Sequence, residues 1–209
     1  MVLNIHTKYM WIYGGGGHAR VLLDCLEAAG VSVTGIFDDD PAVKEIAGLP
    51  VKGPYDVSDF PYAPLIVAVG ANALRRTLAN RVKHRFGQVS HPSALVSARA
   101  LIGEGSVLFH RSIVQSGSVL GKHVILNTAA IVEHDSQIGD FVHLAPGAIL
   151  CGGVSVGEGT LIGAGTTILP GITIGKWCIV GAGVVINRPI PDYSLALGVP
   201  GRVVRQLAR

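Results

Sequence analysis

From Val96 to Ile186 an aliphatic residue returns at every sixth position without a break: Val96, Ile102, Leu108, Val114, Leu120, Leu126, Val132, Ile138, Leu144, Leu150, Val156, Ile162, Ile168, Ile174, Val180 and Ile186. Neither a helical period nor a hairpin array sustains such spacing. Hexapeptide repetition predicts a parallel β-helix, with one short strand and one turn per hexad. Every third hexad opens with an aliphatic–Gly pair, at Ile102-Gly103, Leu120-Gly121, Ile138-Gly139, Val156-Gly157 and Ile174-Gly175. The coil is therefore three-sided. Two residues before each anchor the chain is usually small or β-branched, as at Ala94, Ala100, Ser106, Ser118 and Thr166, which suits a narrow prism corner. The glycines read as turn positions needing positive φ.

Upstream the pattern changes. Tyr9 to Tyr13 is a short apolar run ending in four glycines. A helical stretch follows, with Val21, Leu22, Cys25 and Leu26 on one face. Val33–Phe37 predicts a second strand, Leu65–Val69 a third, and Leu74–Phe86 a basic helix. This alternation predicts a small parallel sheet. The fold class is α/β plus all-β: a Rossmann-like βαβ domain over residues 1–90, then a β-helix domain with a C-terminal tail over 91–209.

Composition narrows the classes. Charged residues make up 15% of the 209, and there are 28 glycines, which fits stacked β-structure and not disorder. A formal charge of +3 is too small for a nucleic-acid binder. No apolar run is long enough to span a membrane. Met1–Lys8 lacks the basic and apolar regions of a signal peptide. Cys25, Cys151 and Cys178 are widely spaced and read as reduced thiols, which points to the cytoplasm.

The first turn matches Gly14-x-Gly16-x-x-Ala19, the dinucleotide fingerprint. Its glycines let backbone N–H groups approach phosphate at a helix N-terminus. Gly14, Gly16, Gly17 and His18 are the candidate contacts there, joined by Asp38 and Asp39 after the second strand and by Asn72 after the third. Some ninety residues hold only one mononucleotide-binding half, so the expected ligand is a single nucleotide and not NAD. A tight turn without a ligand is the competing reading.

A truncated nucleotide unit followed by a hexapeptide β-helix resembles the sugar acyltransferases of the sialic-acid O-acetyltransferase group. Within it the chain is most similar to bacterial N-acetyltransferases of nucleotide-linked 4-amino-4,6-dideoxysugars. The likeness rests on Tyr13-Gly14 through His18, Asp38-Asp39, Ala68 to Asn72, His91-Pro92-Ser93-Ala94, Ile125 to Thr128, Val132 to Asp135 and Gly198-Val199-Pro200-Gly201. It implies a left-handed β-helix, a homotrimer, and acetyl-CoA held between neighbouring helices.

The same resemblance makes His134 the general base, Asp135 its assisting acid and Asn127 a neighbour of the acceptor amine. Histidine has the pKa for such work. The family pattern carries Glu where this chain has Asp135. From the residues alone, His134 reads equally well as an exposed turn histidine, and Glu133 as a solvated one. His143 is expected beside the thioester, donating to the developing oxyanion. Gly152, Gly153, Gly163, Ala164, Gly181 and Ala182 are the expected CoA-groove residues, small enough for the pantetheine arm to reach the backbone. Lys176, Arg188, Arg202 and Arg205 are available to its phosphates. The implied activity is acetyl transfer from acetyl-CoA to the amino group of a nucleotide-linked sugar in bacterial glycan biosynthesis, without a metal. The alternatives are O-acetylation of sialic acid or another sugar, and a non-catalytic hexapeptide scaffold.

Overall fold

The computed structural model describes residues 8–58 and 62–208. Of the segment read for a signal peptide, only Lys8 lies within the described residues. From Val89 onward the chain winds into a left-handed parallel β-helix of about 6 turns. Strands are 2 residues long, and each pairs in register with its equivalent one coil away, as Ile113 with Ile131 and Ile131 with Ile149. The strand Val89–Ser90 joins this sheet just before the boundary expected at residue 91.

Three faces result. The domain face is an 8-stranded sheet whose outward column runs Val107, Ile125, His143, Leu161, Ile179. The aliphatic face has 6 strands and presents Leu95, Ile113, Ile131, Ile149, Thr167 and Val185. The polar face has 5 strands and presents Leu101, Val119, Gln137, Ser155 and Thr173. The hexad anchors point inward and are buried from Leu108 to Ile186, while Val96 and Ile102 are partly buried at the open end. Each such side chain contributes about 1.5–3 kcal/mol on leaving water.

The corners correct one expectation. Positive φ occurs three residues after the anchors, at Gly105, Arg111, Gly117, His123, Ala129, Asp135, Phe141 and their successors. The glycines of the aliphatic–Gly pairs have no positive φ. They are glycine because the next coil runs too close: a Cβ on Gly139 would lie 2.6 Å from the Glu158 nitrogen. The small residues before the anchors do more than fit. The Ser118 hydroxyl donates to the Glu133 carbonyl at 2.7 Å and accepts the Ser136 N–H at 3.1 Å. Ser106, Ser136, Thr160 and Thr166 repeat this staple between coils.

The N-terminal domain is a parallel sheet in the order β2 (Ser32–Phe37), β1 (Tyr9–Tyr13), β5 (Leu65–Val67), with a small hairpin of β3 (Glu45–Ile46) and β4 (Leu49–Pro50). Helix α1 (Gly17–Ala28) buries Ala19, Leu22, Cys25 and Leu26. They pack in one cluster with Val89, Val107, Phe109 and Ile125, so the domain sits on the first coils of the domain face. Helix α2 spans Asn72–Arg81, shorter than the expected Leu74–Phe86. It stops because Val82 turns extended and Phe86 pairs with Leu65.

Candidate active site

The carboxyl ends of β1 and β5 enclose a crevice at the point where strand order reverses, the usual ligand position in such sheets. Gly14 has φ 113, and a Cβ there would meet Val69 and Ala68. Gly16 caps α1 without a side-chain cap, and a Cβ added to Gly16 or Gly17 would meet no heavy atom within 4 Å. The turn therefore leaves clear space around Gly16 and Gly17 at the N-terminus of α1, a place suited to an anion. Asp38 holds this turn: its carboxylate accepts the Gly15 N–H at 2.6 Å and the Asp40 N–H at 2.8 Å. Asp39 accepts from the Tyr13 hydroxyl at 2.8 Å and pairs with Arg81 at 2.7 Å. Both acids thus stand at the crevice with partners in the chain.

His18 opens α1 and faces the β-helix. Its ring meets Phe109 edge-on at 5.3 Å and lies 6.3 Å from the His143 ring. Burial, reinforced by the charges of His143 and Arg75, lowers its pKa to about 4. Burial and Arg75 lower His143 likewise to about 4, so both rings are neutral at neutral pH.

The hydrogen bonds fix the His143 tautomer. The Thr128 N–H donates to Asn127 Oδ1 at 2.8 Å, which turns Asn127 Nδ2 toward His143 Nε2 at 3.1 Å. Nε2 must then accept, and Nδ1–H donates to the Gly70 carbonyl at 3.3 Å. Neither ring nitrogen offers the N–H expected for an oxyanion.

Gly70 is itself pinned. Arg75, 1% exposed, donates to the carbonyls of Val69, Gly70, His123 and Phe141 and to Asn72 Oδ1, all between 2.8 and 3.1 Å. Asn72 Nδ2 donates to the Gly159 carbonyl at 2.9 Å. This buried guanidinium ties the end of β5 to the β-helix without any carboxylate.

His134 lies elsewhere. It sits on the corner between the aliphatic and polar faces, whereas Asn127 sits on the corner between the domain and aliphatic faces. Asp135 adopts φ 57 and accepts from His134 Nδ1 at 2.9 Å. The shorter acid thus reaches the imidazole through a left-handed turn that Asp tolerates. Nδ1 is occupied, and Nε2 lies over Gly152, where a Cβ would come within 2.5 Å of it.

The expected CoA residues divide the same way. Gly152 and Gly153 flank His134, while Gly163, Ala164, Gly181 and Ala182 share the Asn127 corner, with the Leu197 side chain over Gly181. Gly163 and Gly181 stack so closely that a Cβ on the first would lie 2.5 Å from the backbone of the second. Both corners border the aliphatic face, one on each side. Lys176 lies 3.8 Å from Asp192, and Arg202 donates to Asn187 Oδ1 and the Gly201 carbonyl.

Among the described residues no cluster of three potential metal ligands occurs, and no helix is long and apolar enough to cross a membrane. The three cysteines are free.

Residues 10–82 match the PglD N-terminal domain family, and residues 135–170 and 153–188 match the bacterial transferase hexapeptide family (six repeats). UDP-N-acetylbacillosamine N-acetyltransferase of Bacillus subtilis is 40% identical over 110 residues, 48% of this chain and 51% of that protein. The chain thus spans about half the length of that curated relative. The perosamine N-acetyltransferase of Caulobacter crescentus, solved as a mutant in complex with CoA and GDP-perosamine, superposes with a TM-score of 0.90. It is 38% identical, over 94% of this chain and 97% of that one. The chain belongs to the nucleotide-linked amino-sugar N-acetyltransferases. The acetyltransferase domain of PglB from Neisseria gonorrhoeae agrees, at 34% identity and a TM-score of 0.86 over 95% and 100% of the two chains. Sequence reasoning about this N-acetyltransferase missed Arg75, which carried no signal beyond lying in a basic helix. It also missed Trp177, whose ring covers Gly159 and carries the Arg76 guanidinium at 4.3 Å.

Proposed function

We propose that the protein transfers the acetyl group of acetyl-CoA to the 4-amino group of a nucleotide-linked 4-amino-4,6-dideoxysugar. The observation that carries this is the His134–Asp135 pair, which leaves Nε2 as a base above the bare Gly152 ridge. The acceptor nitrogen attacks the thioester carbon, the C–N bond forms and the C–S bond breaks. The amine proton passes to His134 Nε2 and on to the departing thiolate. The free Asn127 amide hydrogen donates to the acyl oxygen. The glycine turn, with Asp38 and Asp39 behind it, holds the nucleotide and aims the sugar past His18.

The active unit is a C3 homotrimer. His134 and Asn127 stand on different corners of one chain, and the aliphatic face lies between them. Turning three aliphatic faces toward a common axis buries Ile113, Ile131 and Ile149 and sets the Asn127 corner of one copy beside the His134 corner of the next. The two corners then form the walls of one acetyl-CoA groove. Cytoplasmic residence fits three free thiols and the supply of both substrates.

The test is release of free CoA thiol from acetyl-CoA with GDP-, UDP- and dTDP-linked 4-amino sugars, beginning with GDP-perosamine. No thiol release with any of them defeats the reading. Mixing His134→Ala chains with Gly16→Val chains, each impaired alone at low nucleotide-sugar concentration, is expected to restore part of the activity. Failure of mixed assemblies to recover any defeats the shared site.

A further inference from the structure

We propose that the cavity between α2 and the uncovered part of the domain face is an acyl pocket, so that the enzyme accepts acyl-CoA thioesters longer than acetyl. The proposal rests on the acyl-transfer reading above. The cavity measures about 660 Å³, far more than an acetyl methyl needs and in the range of small-molecule sites.

Its position favours the acyl chain. The N-terminal domain seals the first outward residues of the domain face, Val107 at 3% and Ile125 at 1% exposure, and stops at His143. Beyond it Leu161 is half-buried and Ile179 is 40% exposed. These two, with Trp177, Tyr193 and Leu207, line the cavity, and His143 closes one end. Of the residues assigned to acetyl-CoA, only His143 lines it. A thioester beside His143 has three directions to fill. The pantetheine arm follows the Gly163–Ala182 ridge, the acceptor arrives from the glycine turn, and the acyl tail is left facing the cavity.

The lining chemistry agrees. Asn72 has both ends of its amide engaged, by Gly159 and Arg75. His143 has both ring nitrogens engaged. Arg76 lies on Trp177 and pairs with Glu158 at 3.4 Å. The Cys178 thiol points to the Pro191 carbonyl at 3.1 Å. These polar side chains have partners in the chain, so the space suits an apolar tail and not a sugar or nucleotide. Transfer of a longer acyl group needs no new step: the same C–N bond forms, the same C–S bond breaks, and the proton follows the same path.

Calorimetric titration with acetyl-, butyryl- and hexanoyl-CoA tests the idea without an acceptor. Each added methylene is expected to tighten binding, up to about fourfold, and hexanoyl-CoA is expected to bind at least ~10-fold more tightly than acetyl-CoA. With an acceptor that supports acetyl transfer, kcat/KM for hexanoyl-CoA should fall no more than ~10-fold below acetyl-CoA. Leu161→Trp and Ile179→Trp place an indole in the cavity from outward positions that do not enter the β-helix core. Each should weaken hexanoyl-CoA ~10-fold or more and leave acetyl-CoA nearly unchanged. If acetyl-CoA binds but hexanoyl-CoA binds no better, the pocket assignment is wrong. Equal loss of both thioesters in the Trp variants also overturns it, by assigning the cavity to CoA itself. If acetyl-CoA does not bind at all, the fault lies with the acyl-transfer reading.

Discussion

Gly16 and Gly17 of the N-terminal domain and Gly139 of the β-helix are glycine for opposite reasons. In the N-terminal domain, Gly16 and Gly17 border empty space. In the β-helix, Gly139 borders the backbone of the next coil, and a Cβ would lie 2.6 Å from Glu158. One pair leaves the space beside the turn open; the other position lets two coils of the same chain approach. At these positions a side chain is expected to change binding at Gly16 or Gly17 and folding at Gly139. Arg75 joins the two regions and belongs to neither pattern.

Breaking that junction should have the largest effect. Arg75→Met leaves the carbonyls of Val69, His123 and Phe141 and the Asn72 amide oxygen without this donor in a buried place, and Gly70 with His143 alone. A loss of roughly 3–5 kcal/mol is expected, read as a drop in the denaturant midpoint. A variant as stable as the parent would remove Arg75 from this role.

Acid should act on the same seam. His123 stacks on Phe141 at 4.9 Å, and its Nδ1 has no hydrogen-bond partner. Burial first, then the charge of Arg75, lowers its pKa to about 4, although Glu104 and Asp140 oppose the shift. The unfolded chain binds the proton near pH 6.5, so it holds more protons than the folded chain between pH 6.5 and about 4. Stability is therefore lost as pH falls through that window, by up to about 3 kcal/mol for this residue. His123→Phe should flatten the slope. Thermal melts across the window compare the two proteins.

His134→Ala should lower kcat by at least ~10²-fold with little change in acetyl-CoA affinity. Near-normal turnover would end the assignment of the base. The smallest pair sharpens the glycine contrast directly. Gly139→Ala is expected to destabilise by about 1–3 kcal/mol through overpacking, with substrate KM unchanged. Gly16→Val should shift stability by less than ~0.5 kcal/mol while raising KM for the nucleotide sugar. Matching stability losses in both would erase the distinction.

The β-helix was legible because its anchors repeat, and repetition reports the inward column. The outward column of the domain face does not repeat, and it carries His143. His143 occupies a position held by Val107 and Ile125 in the two preceding coils. The positive-φ residues could not be read from glycine alone, since Arg111, His123, Ala129, Asp135, Phe141 and Trp177 take the same conformation. The role of Asp38 in bracing the Gly15 turn, and the polarity of the Asn127–His143 bond, depend on contacts between distant segments. No spacing in the chain encodes those.

The in-register pairing of successive coils has a consequence for how the protein changes length. Each coil advances the chain by about one inter-strand spacing, ~4.8 Å. Adding one complete coil after Ile168 would preserve every face and lengthen the prism by one step, leaving His18, Asn127, His134 and His143 at their present separations. The β-helix is thus a graduated rod. Its length can be extended in whole divisions while the spacing of residues at the other end stays fixed.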